Sequence, residues 1–243
     1  MMPCLILRLD APLMSFGGVL VDQHNPTDRF PGRSMLTGML ANALGWHHQD
    51  TEALNSLQAR ISYAARWDVP PEPLRDYQTV DLGQTHLANP GWTTRGAPEH
   101  REGGTAKRGI HQRDRHYWAN GVMTVAVTVP PGEPNVATLA AALRHPARPL
   151  FIGRKACLPA APVLLRVRES DDAYHVLASE PRDPRAAADT RFFEACWPPG
   201  TTAPATESRQ RQNRTDDRDW RTQAHVGLRP MITGYLTEVP PCT

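Results

Sequence analysis

Apolar positions along this chain fall into short blocks whose spacing alternates between the strand period and the helix period. Cys4–Leu9 is an aliphatic run closed by Ala11 and Pro12, and it predicts a first strand. A polar stretch containing Gly and Pro follows, through Pro31 and Gly32. Ser34 suits an N-cap and predicts a helix start. Met35, Met39 and Ala43, beside Leu36, Leu40 and Leu44, then form one apolar stripe, with Gly45 placed to end the helix. Glu52–Arg60 predicts a second short helix, and Ile61–Val69 a strand ending at Pro70 and Pro71.

The stretch from Pro73 to Tyr117 changes character: it is rich in Gly, Thr, His and Arg, poor in aliphatics, and has no helical period. It is far longer than the usual connection of about 4–6 residues. It predicts an extended hairpin or arm whose base pairs Asp76–Leu82 with Gln112–Trp118. Val122–Val129 is β-branched and predicts a strand, Val136–Leu143 an Ala-rich helix, and Leu150–Ile152 a short strand running into Gly153. The resulting order is β-α-β-(arm)-β-α-β. That order predicts an α+β, ferredoxin-like sheet backed by helices, the architecture of RNA-recognition domains. Beyond it, Val163–Val167 and Tyr174–Ala178 predict a hairpin, and His225–Val239 a last strand. Between those two, about 181–222 has weak periodicity and is expected to be flexible. The expected division is therefore an RNA-binding domain over 1–158 and a small β-rich region over 159–243.

Composition narrows the class. An apolar share of 40% in 243 residues predicts a globular chain. No apolar run is long enough to span a bilayer, and no export signal is visible, so a cytoplasmic address is expected. Cys4, Cys157, Cys196 and Cys242 are scattered without metal-finger spacing and are expected to be reduced. A net charge of +2 does not announce a nucleic-acid binder. Placement says more: Arg144, Arg148, Arg154, Lys155, Arg166 and Arg168 fall in a span without an acidic residue. The arm adds Arg95, Lys107, Arg108, Arg113 and Arg115.

Three motifs carry candidate chemistry. Gly153-Arg154-Lys155 follows a short apolar run, where a glycine admits a phosphate close to backbone N–H groups and two cations neutralise it. Arg33 and Ser34 open the first helix, whose free N–H groups and dipole favour an anion. Arg113, Arg115 and Tyr117 alternate onto one face of an extended chain, offering guanidinium groups for phosphates and a ring for base stacking, with Trp118 on the other side as core. A metal-free ribonuclease could use His116, Tyr117 and Lys155. A metal site could use His47, His48, Asp50 and Glu52, but the expectation is no metal and no cofactor.

These passages together resemble the CasD-type subunit family of Cascade, the type I-E CRISPR interference complex, within the repeat-associated mysterious protein superfamily. Leu7–Gly17 is similar to the family's opening strand and turn, although Ala11 and Phe16 stand where Gly and Trp are usual. Pro31–Gly45 is similar to its first helix, Asp76–Val80 to the start of its arm, and Arg115–Ala119 to the return. Pro149–Pro162, reading Pro-Leu-Phe-Ile-Gly-Arg-Lys-Ala-Cys-Leu-Pro-Ala-Ala-Pro, is the most specific match. The resemblance implies a ferredoxin-like domain with a thumb hairpin and a non-catalytic role. It implies binding of the guide RNA's 5′ handle at Arg33 and Ser34, at Gly153, Arg154 and Lys155, and at the thumb base. It also implies CasC-type backbone and CasA-type large subunits as neighbours, with target DNA met through the complex. In a related branch the equivalent subunit cleaves precursor RNA, which keeps an endoribonuclease as the competing expectation.

Overall fold

Strand β1 (Met2–Asp10) is apolar at both parities because both of its faces are covered. Leu5, Leu7 and Leu9 enter one buried cluster, Cys4 and Ile6 another, and each such side chain contributes about 1.5–3 kcal/mol by leaving water. The structure, a computed structural model, describes residues 2–18, 24–81, 91–92, 98–99, 110–170, 172–201, 203, 209–237 and 239–242. After β1 come β2 (Leu13–Met14), β3 (His24–Asn25), helices α1 (Arg33–Leu44) and α2 (Thr51–Arg60), and strand β4 (Ser62–Val69). The arm follows, with β5 (Glu72–Asp81), two short strands β6 (Gly91–Trp92) and β7 (Pro98–Glu99), and β8 (Ile110–Ala119). Then come β9 (Val122–Thr128), α3 (Val136–Arg144), β10 (Leu164–Ser170) and α4 (Ala173–Ser179). The chain closes with β11 (Phe193–Trp197), β12 (Gln210–Arg214), β13 (Asp217–Asp219), β14 (Ala224–Val226) and β15 (Arg229–Leu236).

One antiparallel sheet in the order β10-β1-β9-β4-β11-β15-β12 organises the molecule. Helices α1 and α3 pack on the face that carries Leu5, Tyr63, Val125 and Val127. Helix α4 packs on the opposite face, against Ile6, Ala64 and Ala126. None of the described helices is long and apolar enough to cross a membrane.

Several local expectations meet different outcomes. Gly45 ends α1 in the left-handed region at φ 82°, its N–H bonded to Ala41 and Asn42 carbonyls, as its position predicts. Ser34 is not the N-cap; Gly32 is, and Ser34 lies inside the first turn, buried. The fourth strand beside β1 is β10, not Leu150–Ile152. That earlier segment folds into a turn, with the Ile152 N–H donating to the Cys157 carbonyl at 2.7 Å and the Cys157 N–H to that of Arg154 at 2.9 Å. The expected hairpin after Val163 is a strand followed by a helix. Asp172 caps α4 by accepting from the His175 N–H at 2.7 Å, and Ala173, Val176 and Leu177 supply a helical stripe. Fully buried Arg66 then ties the end of α4 to β4, donating to Asp68 and to the carbonyls of Leu177 and Glu180. Finally, the span expected to be flexible contains β11, which pairs with β4 deep in the sheet. With β10 beside β1, the sheet runs straight through the division expected at 158.

Candidate nucleic-acid interface

The arm leaves the sheet between β4 and β9 as a long two-stranded ribbon. In it β5 and β8 pair from Glu72↔Ala119 to Asp81↔Ile110, so the hairpin base expected from the sequence forms. The second edge of β8 pairs with β2 at Ala119 and Trp118 and with β3 at Asp114 and Arg115. Between those two short pairings the backbone of His116 would be left open. Arg154 closes the gap: its guanidinium donates to the His116 carbonyl at 3.1 Å and to the Asn25 carbonyl at 3.0 Å. The Ser15 hydroxyl also reaches the His116 carbonyl, at 3.5 Å. The same guanidinium covers the ring of Tyr117, 4.8 Å from its centroid, and Tyr117 is buried. Arg154 is thus a structural brace, and the face of Tyr117 it covers is closed to a base.

Gly153 serves this brace. At φ 89° it sits where side chains are strained, and a Cβ there would meet the Ser15 carbonyl oxygen at 1.6 Å. The glycine is required by backbone against backbone, not by a phosphate. Arg113 and Lys155 are exposed and Arg115 half-buried around the brace. Among the described residues none of Arg113, Arg115, Arg154 and Lys155 is in an ion pair, since Arg154 spends its donors on neutral carbonyls. Asp114, on the other face of β8, pairs with Arg75 at 2.7 Å. That hydrogen bond outweighs desolvation and, with the charges of Arg75, His24 and His116, holds the Asp114 carboxyl below its ordinary range.

The helix tip does not join this cluster. Asp216 occupies it, accepting from the Arg33 N–H at 3.0 Å, while its carbonyl accepts from the Ser34 N–H at 2.9 Å. The Arg33 side chain is held by the Asp217 carboxylate through two N–H donors. A carboxylate therefore already sits where an anion was expected, and the charge of Arg33 is neutralised. Asp216 also receives Arg229, in contact with its carboxylate and 5.0 Å over the Tyr63 ring. Burial alone would push the Asp216 carboxyl up; the Arg229 hydrogen bond and the charges of Arg229 and Arg214 win and hold it below the ordinary range.

The basic run between Arg144 and Arg168 is likewise not one patch. Arg148 braces α1 through Asn42 and Trp46, and Arg166 and Arg168 pair with Glu180. Arg95, Lys107 and Arg108 lie outside the described residues. Phe16 is fully buried against Trp67, so that departure from the family pattern is a core substitution. Arg29, not singled out in the sequence, lies between the Trp67 and Trp118 rings at 5.2 and 4.8 Å and pairs with Glu194. No local signal marks it, because its partners are 38 to 165 positions away.

Comparison with known proteins bears on the family and the fold. A family model described as CRISPR-associated protein (Cas_Cas5) matches residues 4–232. The "CRISPR system Cascade subunit CasD" of Escherichia coli (strain K12) is 31% identical over 182 residues, covering 71% of this chain and 75% of that protein. A solved chain titled "CRISPR RNA-guided surveillance complex" superposes with a TM-score of 0.69 at 25% identity, covering 98% of this chain and 91% of its own. Another, titled "Crystal structure of Cas protein", superposes with a TM-score of 0.61 at 17% identity and 98% coverage of both, a likeness of fold.

Proposed function

This chain belongs to the CRISPR-associated Cas5 family and is of the CasD type found in Cascade, and from that premise we propose that it is a non-catalytic subunit gripping the 5′ handle of the guide RNA. The observation that carries the reading is a group of cations at the arm base that no ion pair engages among the described residues. Arg113, Arg115, Arg154 and Lys155 gather around one buried brace, while Arg33, Arg166 and Arg168 are matched by carboxylates and Arg148 braces the fold. Phosphates are the natural counterion for such a cluster. We read the four strands ordered β10-β1-β9-β4, connected β-α-β-β-α-β, as a ferredoxin-like core from which the arm projects. The arm then reaches a CasC-type backbone subunit, with a CasA-type large subunit alongside and target DNA engaged through the complex.

A scaffold rather than a nuclease is supported by the disposition of the candidate catalysts. Consecutive residues of a strand point to opposite faces, so His116 and Tyr117 diverge, and Tyr117 is buried under Arg154.

The test uses Arg115→Ala with Lys155→Ala, because changing Arg154 would also open the arm base. In the assembled complex this pair is expected to weaken guide retention and reduce the slope of log affinity against log salt by about 1–2. Unchanged retention and slope would remove the arm base from the RNA path. Incubating the wild type with precursor RNA and EDTA should leave the RNA intact; cleavage at one site, lost in His116→Ala, would make the chain a metal-independent endoribonuclease.

A further inference from the structure

A second cleft lies beyond the arm base, where the far end of the sheet meets the segment leading into α1. It measures about 340 Å³ and is walled by Asp28, Arg29, Glu194, Gln210, Gln212 and Tyr235. Register explains why these side chains meet. Glu194 lies opposite Tyr235 across β11 and β15, and Gln210 lies opposite Thr233 across β15 and β12, so all project from one face. One step inward on that face Cys196 and Met231 are buried in the core, whereas Tyr235 is 50% exposed.

The charges in the cleft cancel. Arg29 is held by both oxygens of Glu194, and Arg214 reaches Asp28 at 3.0 Å and the Phe30 carbonyl at 2.7 Å. A phosphate entering here would find each cation already matched and two carboxylates facing it. An uncharged heterocycle would find what it needs. Gln210 and Gln212 offer amides that no hydrogen bond engages among the described residues. At the mouth, Phe192, 66% exposed, and Tyr235 stand edge to face, their centroids 6.4 Å apart. Exposed rings beside neutral donors and acceptors fit the face and the edge of an unpaired base. The volume suits one nucleoside, at the lower end of the roughly 300–1,000 Å³ of small-ligand sites. The cleft is also within reach of the arm base: Arg29 forms its wall and stacks on Trp118, the residue after Tyr117.

We propose that this cleft receives one unpaired base of the guide RNA, stacked on Tyr235 or Phe192 and contacted on its edge by Gln210 and Gln212. The inference rests on guide binding as the function of the chain but not on the arm-base contacts.

The test is photocrosslinking in the assembled complex, with a guide carrying a single 4-thiouridine at each position in turn, and mapping of the crosslinked peptide by mass spectrometry. Crosslinks to the segments bearing Phe192 or Tyr235 are expected from one position or two neighbouring ones. In a Phe192→Ala, Tyr235→Ala variant that yield should fall at least about five-fold while the guide stays bound, the loss of one stacked base. Both residues are exposed, so the variant should fold, which a matched melting temperature verifies. Crosslinks confined to the arm base would overturn the cleft and spare the proposed function. No crosslink to this chain from any position would overturn both. Loss of a protein subunit from the variant complex, without RNA crosslinks to these segments, would make the cleft a protein-docking surface and equally overturn the inference.

Discussion

Gly153 and Arg154 read as phosphate-binding chemistry in one dimension and act as construction in three. The glycine brings the turn against the Ser15 backbone, and the arginine then fills a break in strand pairing that no strand reaches. Arg is suited to this because its planar fork bridges two carbonyls at once, which a lysine ammonium does less well. Arg154 keeps its charge while bracing, so it still contributes to the field at the arm base. Gly153→Ala is expected to cost about 3 kcal/mol, combining left-handed strain with a backbone clash. Thermal or denaturant unfolding measures it, and a cost below about 1 kcal/mol would mean that the turn moves away from Ser15 freely.

Helix α1 is anchored by the element that follows β12, far away in sequence. Asp216 satisfies N–H groups at its first turn, and the adjoining β13–β14 hairpin lays Trp220 against Ala41 and Leu54. Asp216 is buried against Arg229, so removing its charge takes away the carboxylate partner of that largely buried guanidinium group. Asp216→Asn should destabilise the fold at neutral pH by about 3 kcal/mol. The pH dependence has a definite sign. The folded pKa of Asp216 is lowered relative to an unfolded value near 3.9, so its contribution is complete above about pH 4 and fades as pH falls through the folded value. The gap in melting temperature between wild type and variant should therefore narrow below about pH 4. A gap that stays constant to lower pH would show that the carboxylate charge is not what holds the helix.

A sheet covered on both faces by helices closes off most of the chain's sulfur chemistry. Burial pushes the Cys4 and Cys196 thiols up to about 12 and raises Cys157 as well, while Cys242 is exposed. Because the thiolate is the reactive form, one thiol per chain should react quickly with a maleimide near about pH 8, and the other three only after denaturation. Rapid labelling of Cys196 in the native protein would mean that β11 leaves the sheet readily.

Short-range patterns carried much of this protein's description. The apolar runs of β1, β4 and β9, the four-residue stripe of α1 and the Gly45 stop are consequences of neighbours within a few positions, so the linear order of residues determined them. The motif order also pointed to the family. Charge compensation was decided only in three dimensions, because a guanidinium group's partner can lie anywhere along the chain. Arg33 finds Asp217 184 positions later and Arg29 finds Glu194 165 positions later. Helix α4 and strand β11 were obscured for a related reason: α4 is held by packing on the second face of the sheet against Ile6, Ala64 and Ala126, and β11 by pairing with β4, contacts made with residues distant in sequence.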